Sequence, residues 1–188
     1  MPQQEIRTPA VREQGTETMQ EIYIEDPRFG TVEVTVDPTI GYMSVQGPRV
    51  PRASIRRSLG IDSDHRSPIG SRAPSHLELV VDGHAVPLDT GIGFLSRRSR
   101  RVEVDYNGHR YRFAPVKKHR SVLTRDGRLV GELARKKPEA GVSPTWDPGA
   151  DAAPAEAALV YVLAAAFGVG APGFVTTAIG AGLVSPPF

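Results

Sequence analysis

The chain has no cysteine, a single tryptophan and only 6% aromatic residues, and it carries no charged side chain after Glu156. Without cysteine, disulfides, thiolate chemistry and zinc-thiolate centres are excluded. The net charge of +2 is too small for a global field that draws in nucleic acid. There is no Gly-x-Ser-x-Gly elbow and no Gly-x-x-x-x-Gly-Lys-Ser/Thr phosphate loop. The five histidines, His65, His76, His84, His109 and His119, are scattered. Asp62-Ser63-Asp64-His65 lacks a partner at metal-ligand spacing, and Arg66 stands where a calcium loop needs further acids. No metal, no cofactor and no catalytic residue are therefore expected. An unrecognised hydrolase stays as an alternative, because so many serines let a Ser-His-Asp set be drawn at will. In MPQQEIRTPAVREQGTETMQ no apolar run follows the first charge, so a signal peptide is not expected there and a cytoplasmic location is.

What is present is a β pattern. Residues 1–19 are polar and aperiodic, with acids exceeding bases, and read as a disordered leader. The rest, residues 20–188, reads as one β-rich domain. In QEIYIED and GTVEVTVD, apolar Ile22, Ile24, Val32, Val34 and Val36 alternate with polar residues, the signature of half-buried strands. YMSVQ (42–46) reads as a third. Residues 49–75, rich in Arg, Ser and Pro, show no sustained period and read as a long mobile loop. Three hairpin signals follow, at Asp82-Gly83, Asn107-Gly108 and Asp126-Gly127. Each pair tolerates the positive φ of a type I′ turn and is flanked by alternating apolar residues. Three such hairpins predict an antiparallel meander that forms a barrel or sandwich.

Residues 135–154 form a connector that holds the Trp. Pro154 and Glu156 then supply good signals for a helix start, and Ala157 to Phe167 is a run of helix formers ended by Gly168 and Gly170. The apolar helical segment as a whole extends over 155–184. Its uncharged stretch, 157–184, exceeds the roughly 18 residues of a membrane-span candidate, so a tail-anchored or membrane-associated protein is the main alternative. Five glycines and Pro172 interrupt that stretch, no Trp or Tyr belt brackets it, and the nearest basic cluster, Arg135-Lys136-Lys137, lies far upstream. A helix apolar all round belongs in a core or in a bilayer. The expectation is a core helix packed in or against the sheet.

The hairpin SVLTRDGRLVGEL, the Trp-containing connector and the terminal apolar helix resemble the tubby-like superfamily, which includes LURP-one-related proteins and phospholipid scramblases. The resemblance covers about residues 77–168. It implies a closed antiparallel barrel around a hydrophobic helix, which would make the membrane signal a false one. Tubby domains bind phosphoinositides through basic side chains, but no defined lipid-binding motif aligns here. The acidic calcium-binding segment of scramblases is not recognisable, and Phe174 to Phe188 extends past the point where the simplest pattern ends.

Two basic clusters are the candidate site. Arg97, Arg98, Arg100 and Arg101 precede a strand, and Lys117, Lys118, His119 and Arg120 fill a turn. In a meander both lie at strand ends and share a rim able to hold anionic lipid headgroups or an acidic protein surface. No aromatic platform is interleaved to read nucleic acid. Arg56-Arg57-Ser58-Leu59 matches a basophilic phosphorylation site at Ser58, where a phosphate would add about −1.5 to −2 charges. The expected function is a non-catalytic binding or scaffolding protein with a basic rim.

Overall fold

The computed structural model describes residues 19–64, 67–91, 98–135 and 142–170. The first half of the chain forms six strands: β1 (Gln20–Asp26), β2 (Gly30–Asp37), β3 (Tyr42–Gly47), β4 (Val50–Arg57), β5 (Leu77–Val81) and β6 (His84–Val86). They pair in chain order as one antiparallel meander. The second half forms β7 (Leu88–Thr90), β8 (Val102–Tyr106), β9 (His109–Lys117), β10 (Arg120–Arg125), β11 (Arg128–Ala134) and β12 (Ser143–Trp146), a second meander. One helix, α1 (Pro154–Phe167), completes the described fold. The protein is thus mainly β, with two antiparallel sheets and a C-terminal helix.

The local reasons are those of the alternating pattern. Val32, Val34 and Val36 of β2 face inward and are buried, as are Met43, Val45, Leu79 and Val81 of their sheet. Val102, Val104, Tyr111, Phe113, Leu123 and Leu133 do the same in the second sheet. The three hairpins turn where expected: Asp82, Asn107 and Asp126 each have φ of 50°, followed by Gly83, Gly108 and Gly127 at 78°, 77° and 82°. Positive φ at both central residues defines the type I′ turn, whose twist matches that of the strands.

Residues 50–57, expected within a mobile loop, form a strand instead. β4 pairs on both sides, with β3 and β5. Its inward residues Val50, Ala53 and Ile55 are buried, but so is Arg57, and an inward arginine hides the alternation. The connector likewise contains a strand, β12, which pairs with β11 over Gly131 to Ala134.

Helix α1 is enclosed. Every side chain from Glu156 to Ala166 is buried, and the apolar ones from Ala157 to Ala166 belong to one core with the inward faces of both sheets. A helix without a polar face has no side to offer water, so it fits only where walls surround it. No described helix is long and apolar enough to cross a membrane. Residues 171–184 of the apolar stretch lie outside the described ones.

The ladders do not close into a continuous barrel. Between Val86 and Leu88 the chain passes from one sheet to the other through Pro87, which has no N–H to donate to a ladder. At the opposite seam β1 meets β12 through side chains. Trp146 lies across Gly131, where an added Cβ would stand 2.7 Å from the indole. Its ring meets Phe29 edge-on at 5.2 Å.

Candidate functional site

Two buried carboxylates, Asp26 and Glu156, tie helix α1 to the strands. Asp26, at the end of β1, is 4% exposed. Its carboxylate accepts hydrogen bonds from the backbone N–H groups of Arg28 (2.8 Å) and Phe29 (2.9 Å). It also accepts from Trp146 Nε1 (3.0 Å) and from the Tyr161 hydroxyl (2.6 Å). One side chain thereby ties a β-turn, the last strand and the helix together. Close by, Glu156 is buried and pairs with Arg125 Nη1 at 2.8 Å, while its other oxygen accepts the N–H of Ala153 at 2.8 Å. That bond caps the helix, and the carboxylate suits the positive end of the helix dipole. No buried side-chain polar atom among the described residues lacks a partner. This cluster is structural.

Two tyrosines in it carry a consequence for pH. Burial, and then the charge and hydrogen bond of Glu156, push Tyr111 up to about 12 from its ordinary 10.0. Burial, and then the hydrogen bond to Asp26, raise Tyr161 further. Folded values above the unfolded one mean that this stability is complete below about pH 10 and is lost as pH rises through the folded values. Thermal unfolding followed from pH 8 to 12 is expected to show a falling Tm above pH 10. The fall should be shallower in Tyr111→Phe, and an identical slope in the two proteins would contradict the assignment.

The basic residues gather at the opposite end of the second sheet. Hairpin register pairs Val102 with Phe113 and Lys117 with Arg120, so the start of β8 and the β9–β10 turn point the same way. Arg98 opens a 3₁₀ turn, Arg98–Arg100, just before β8. Arg97 and the side chain of Arg98 lie outside the described part. Arg100 is half-buried, and Lys117, Lys118 and His119 are exposed. Arg101 pairs with Glu103 at 3.2 Å and Arg120 with Glu132 at 3.0 Å. Lys117 and Lys118 have no ion-pair partner among the described residues. His119 Nδ1 lies 3.3 Å from Arg135 Nη2; since a guanidinium only donates, Nδ1 accepts.

The helix ends under this rim. Gly170 N–H donates to Ser121 Oγ at 2.9 Å, and an added Cβ at Gly170 would collide with the Lys118 carbonyl. The negative end of the helix dipole thus faces the cations, which it favours. Sequence reasoning missed one member of the group. Arg72 lies over the Phe167 ring, 5.1 Å from its centroid, and donates to the carbonyls of Gly91 (3.3 Å) and Arg100 (3.1 Å). Burial, and then the charge of Arg100, lower its pKa. Only the tertiary fold brings it there from a loop.

Ser58 is exposed just past β4, but Arg57 before it is buried, so of the two arginines in the basophilic motif only Arg56 reaches the surface. For nucleophilic chemistry, Ser71 Oγ lies 3.5 Å from His76 Nδ1, and His109 Nδ1 lies 2.6 Å from Asp126. These pairs share no residue and no loop, and together they make no Ser-His-Asp set. Comparison with family models, with curated proteins and with solved structures gives no match to this chain.

Proposed function

We propose that this chain is a non-catalytic binding module whose basic rim docks on an anionic lipid surface. The observation that carries the reading is that the hairpin register brings Arg100 to the same end of the second sheet as Lys117 and Lys118. Val116, 40% exposed, stands beside the two lysines and adds an apolar contact to their charge, the mixture an interfacial headgroup layer accepts. The tubby-like reading belongs to the same proposal. Two antiparallel meanders around a hydrophobic C-terminal helix support it, while the side-chain seam between β1 and β12 departs from a closed barrel.

Sedimentation with vesicles tests the reading. The protein is expected to pellet with phosphatidylserine-containing vesicles and not with neutral ones, less so at high salt. Each basic residue near such a surface contributes about 1 kcal/mol, so Lys117→Ser/Lys118→Ser should weaken binding by roughly 30-fold. Equal sedimentation with neutral and anionic vesicles, or no loss in the double variant, overturns it. Capture of an acidic protein without vesicle binding would transfer the rim to a protein partner.

A further inference from the structure

Among the described residues, five large aliphatic side chains are exposed: Met19, Ile40, Leu59, Val116 and Leu129. Scattered singly, such residues need no explanation. Four of these five share one end of the molecule. Gln20 pairs with Val36, so Met19 lies where β1 begins and β2 ends. Ile40 stands in the β2–β3 turn and Leu59 just past β4, and the pairing of Tyr42 with Arg56 brings both to that same end. It is also the end that carries the rim. Ile69 N–H donates to the Ala166 carbonyl in the last turn of α1 at 3.1 Å, and an added Cβ at Gly41 would stand 2.9 Å from the Ile69 carbonyl. Gly170, just past the helix, meets Ser121 and Lys118 of the second sheet, and Val116 precedes Lys117 there. Leu129, beside the Asp126-Gly127 turn, lies at the far end.

Fixed backbone holds Ile40 and Leu59 outward. Asp37 accepts the N–H groups of Thr39 (3.1 Å) and Ile40 (3.3 Å), which closes their turn. On the inward side, the buried Arg57 guanidinium donates to the carbonyls of Thr39 (3.3 Å) and Ile69 (2.9 Å). Leu59, 90% exposed, follows Ser58, whose N–H donates to the His76 carbonyl at 2.8 Å. Ile40 and Leu59 line one open cleft of about 470 Å³ together with Tyr42, Arg56 and Glu78. Arg56 and Glu78 pair at 2.5 Å and offset each other, and Asp62 and Asp64 beyond Leu59 are exposed acids. This corner brings apolar area and no net positive charge of its own.

We infer that Ile40 and Leu59 enter the acyl layer of a bilayer when the rim sits on its headgroups. The inference rests on the rim reading and adds to it the part of the protein that leaves water. Cations and aliphatic side chains on one end suit the boundary between headgroups and hydrocarbon. A second copy meeting this end in two-fold fashion would bring like charges of the two rims together. Charge at the headgroups is screened by salt, whereas apolar area moved into hydrocarbon gains by its size and is not.

The chain has no cysteine, so single cysteines can carry an environment-sensitive fluorophore without competition. Leu59→Cys, Ile40→Cys and, as control, Leu129→Cys are labelled in the full chain. Each is mixed with phosphatidylserine-containing vesicles whose acyl chains carry a nitroxide quencher. Emission from positions 59 and 40 should shift to the blue and be quenched, while that from 129 stays as in buffer. Leu59→Ser/Ile40→Ser should bind these vesicles about 10-fold more weakly in sedimentation. That deficit should persist at high salt, whereas the deficit of Lys117→Ser/Lys118→Ser shrinks. Both apolar positions are at the surface, so neither change threatens folding. Sedimentation with silent probes at 40 and 59, an equal response at 129, or full binding by the serine pair overturns insertion and leaves the rim reading standing. Absence of sedimentation in the parent protein overturns both. A blue shift without vesicles that grows with protein concentration assigns the corner to a second copy and also overturns the inference.

Discussion

A chain that stops at Ala153 should not fold. Helix α1 fills the space between the sheets, and Leu159, Val160, Tyr161, Val162 and Leu163 are each no more than 1% exposed. Burying a large apolar side chain is worth about 1.5–3 kcal/mol, so these five alone supply roughly 10 kcal/mol. That equals the whole net stability of an ordinary domain, about 5–15 kcal/mol. Without the helix, the inward valines of β2 and Leu123 and Leu133 of the second sheet would face water. The truncated protein should therefore aggregate and lack the cooperative thermal transition of the parent. Leu163→Asp, which places a carboxylate where no partner exists, should do the same. A soluble 1–153 fragment with a sharp unfolding transition would show that the sheets close without the helix, and it would return the tail to the role of a membrane anchor.

The second large effect is expected at Asp26. Asp26→Ala removes the acceptor of the Trp146 and Tyr161 side chains together. Each buried donor left unpaired costs about 1–3 kcal/mol, and the turn donors Arg28 N–H and Phe29 N–H lose their acceptor as well. A loss of about 3–5 kcal/mol follows, in the range reserved for a few mechanisms such as broken buried networks. At about 2–4 °C per kcal/mol for a chain of this size, Tm should drop by roughly 10 °C. Tyr161→Phe in the same measurement should cost much less, because Asp26 keeps its other donors. If Asp26→Ala melts within a degree or two of the parent, the seam between β1 and β12 is held by something other than this carboxylate.

These two effects differ in how far they could be read in advance. The helix was visible from Pro154, Glu156 and the uncharged run after it, because capping and composition are local. Whether that run met a core or a bilayer was not visible, since both surround a helix with hydrocarbon on every side. For the described part of the run, up to Gly170, the inward faces of the two sheets decide it. Asp26, Trp146 and Tyr161 are joined across 120 and 135 positions, and nothing in their neighbours marks them as partners.

The same division runs through the strands and the sites. Alternation made β1, β2 and β3 legible, and the Asp-Gly and Asn-Gly pairs made the hairpins so. β4 escaped because Pro51, Arg52 and Arg56 surround an inward-facing Arg57, and β12 because four residues with a proline carry no period. The rim was foreseeable from one turn: a hairpin centred on Asn107-Gly108 sets residues equally far from it side by side, so the arginines before β8 must share an end with the β9–β10 turn. The placement of Arg72 and the burial of Arg57 were not foreseeable. By itself the sequence determined the strand periods, the turns and the helix, all of which depend on contacts within a few residues. Only the tertiary structure decided what the helix touches and which cations stand together, because those depend on how distant segments are packed.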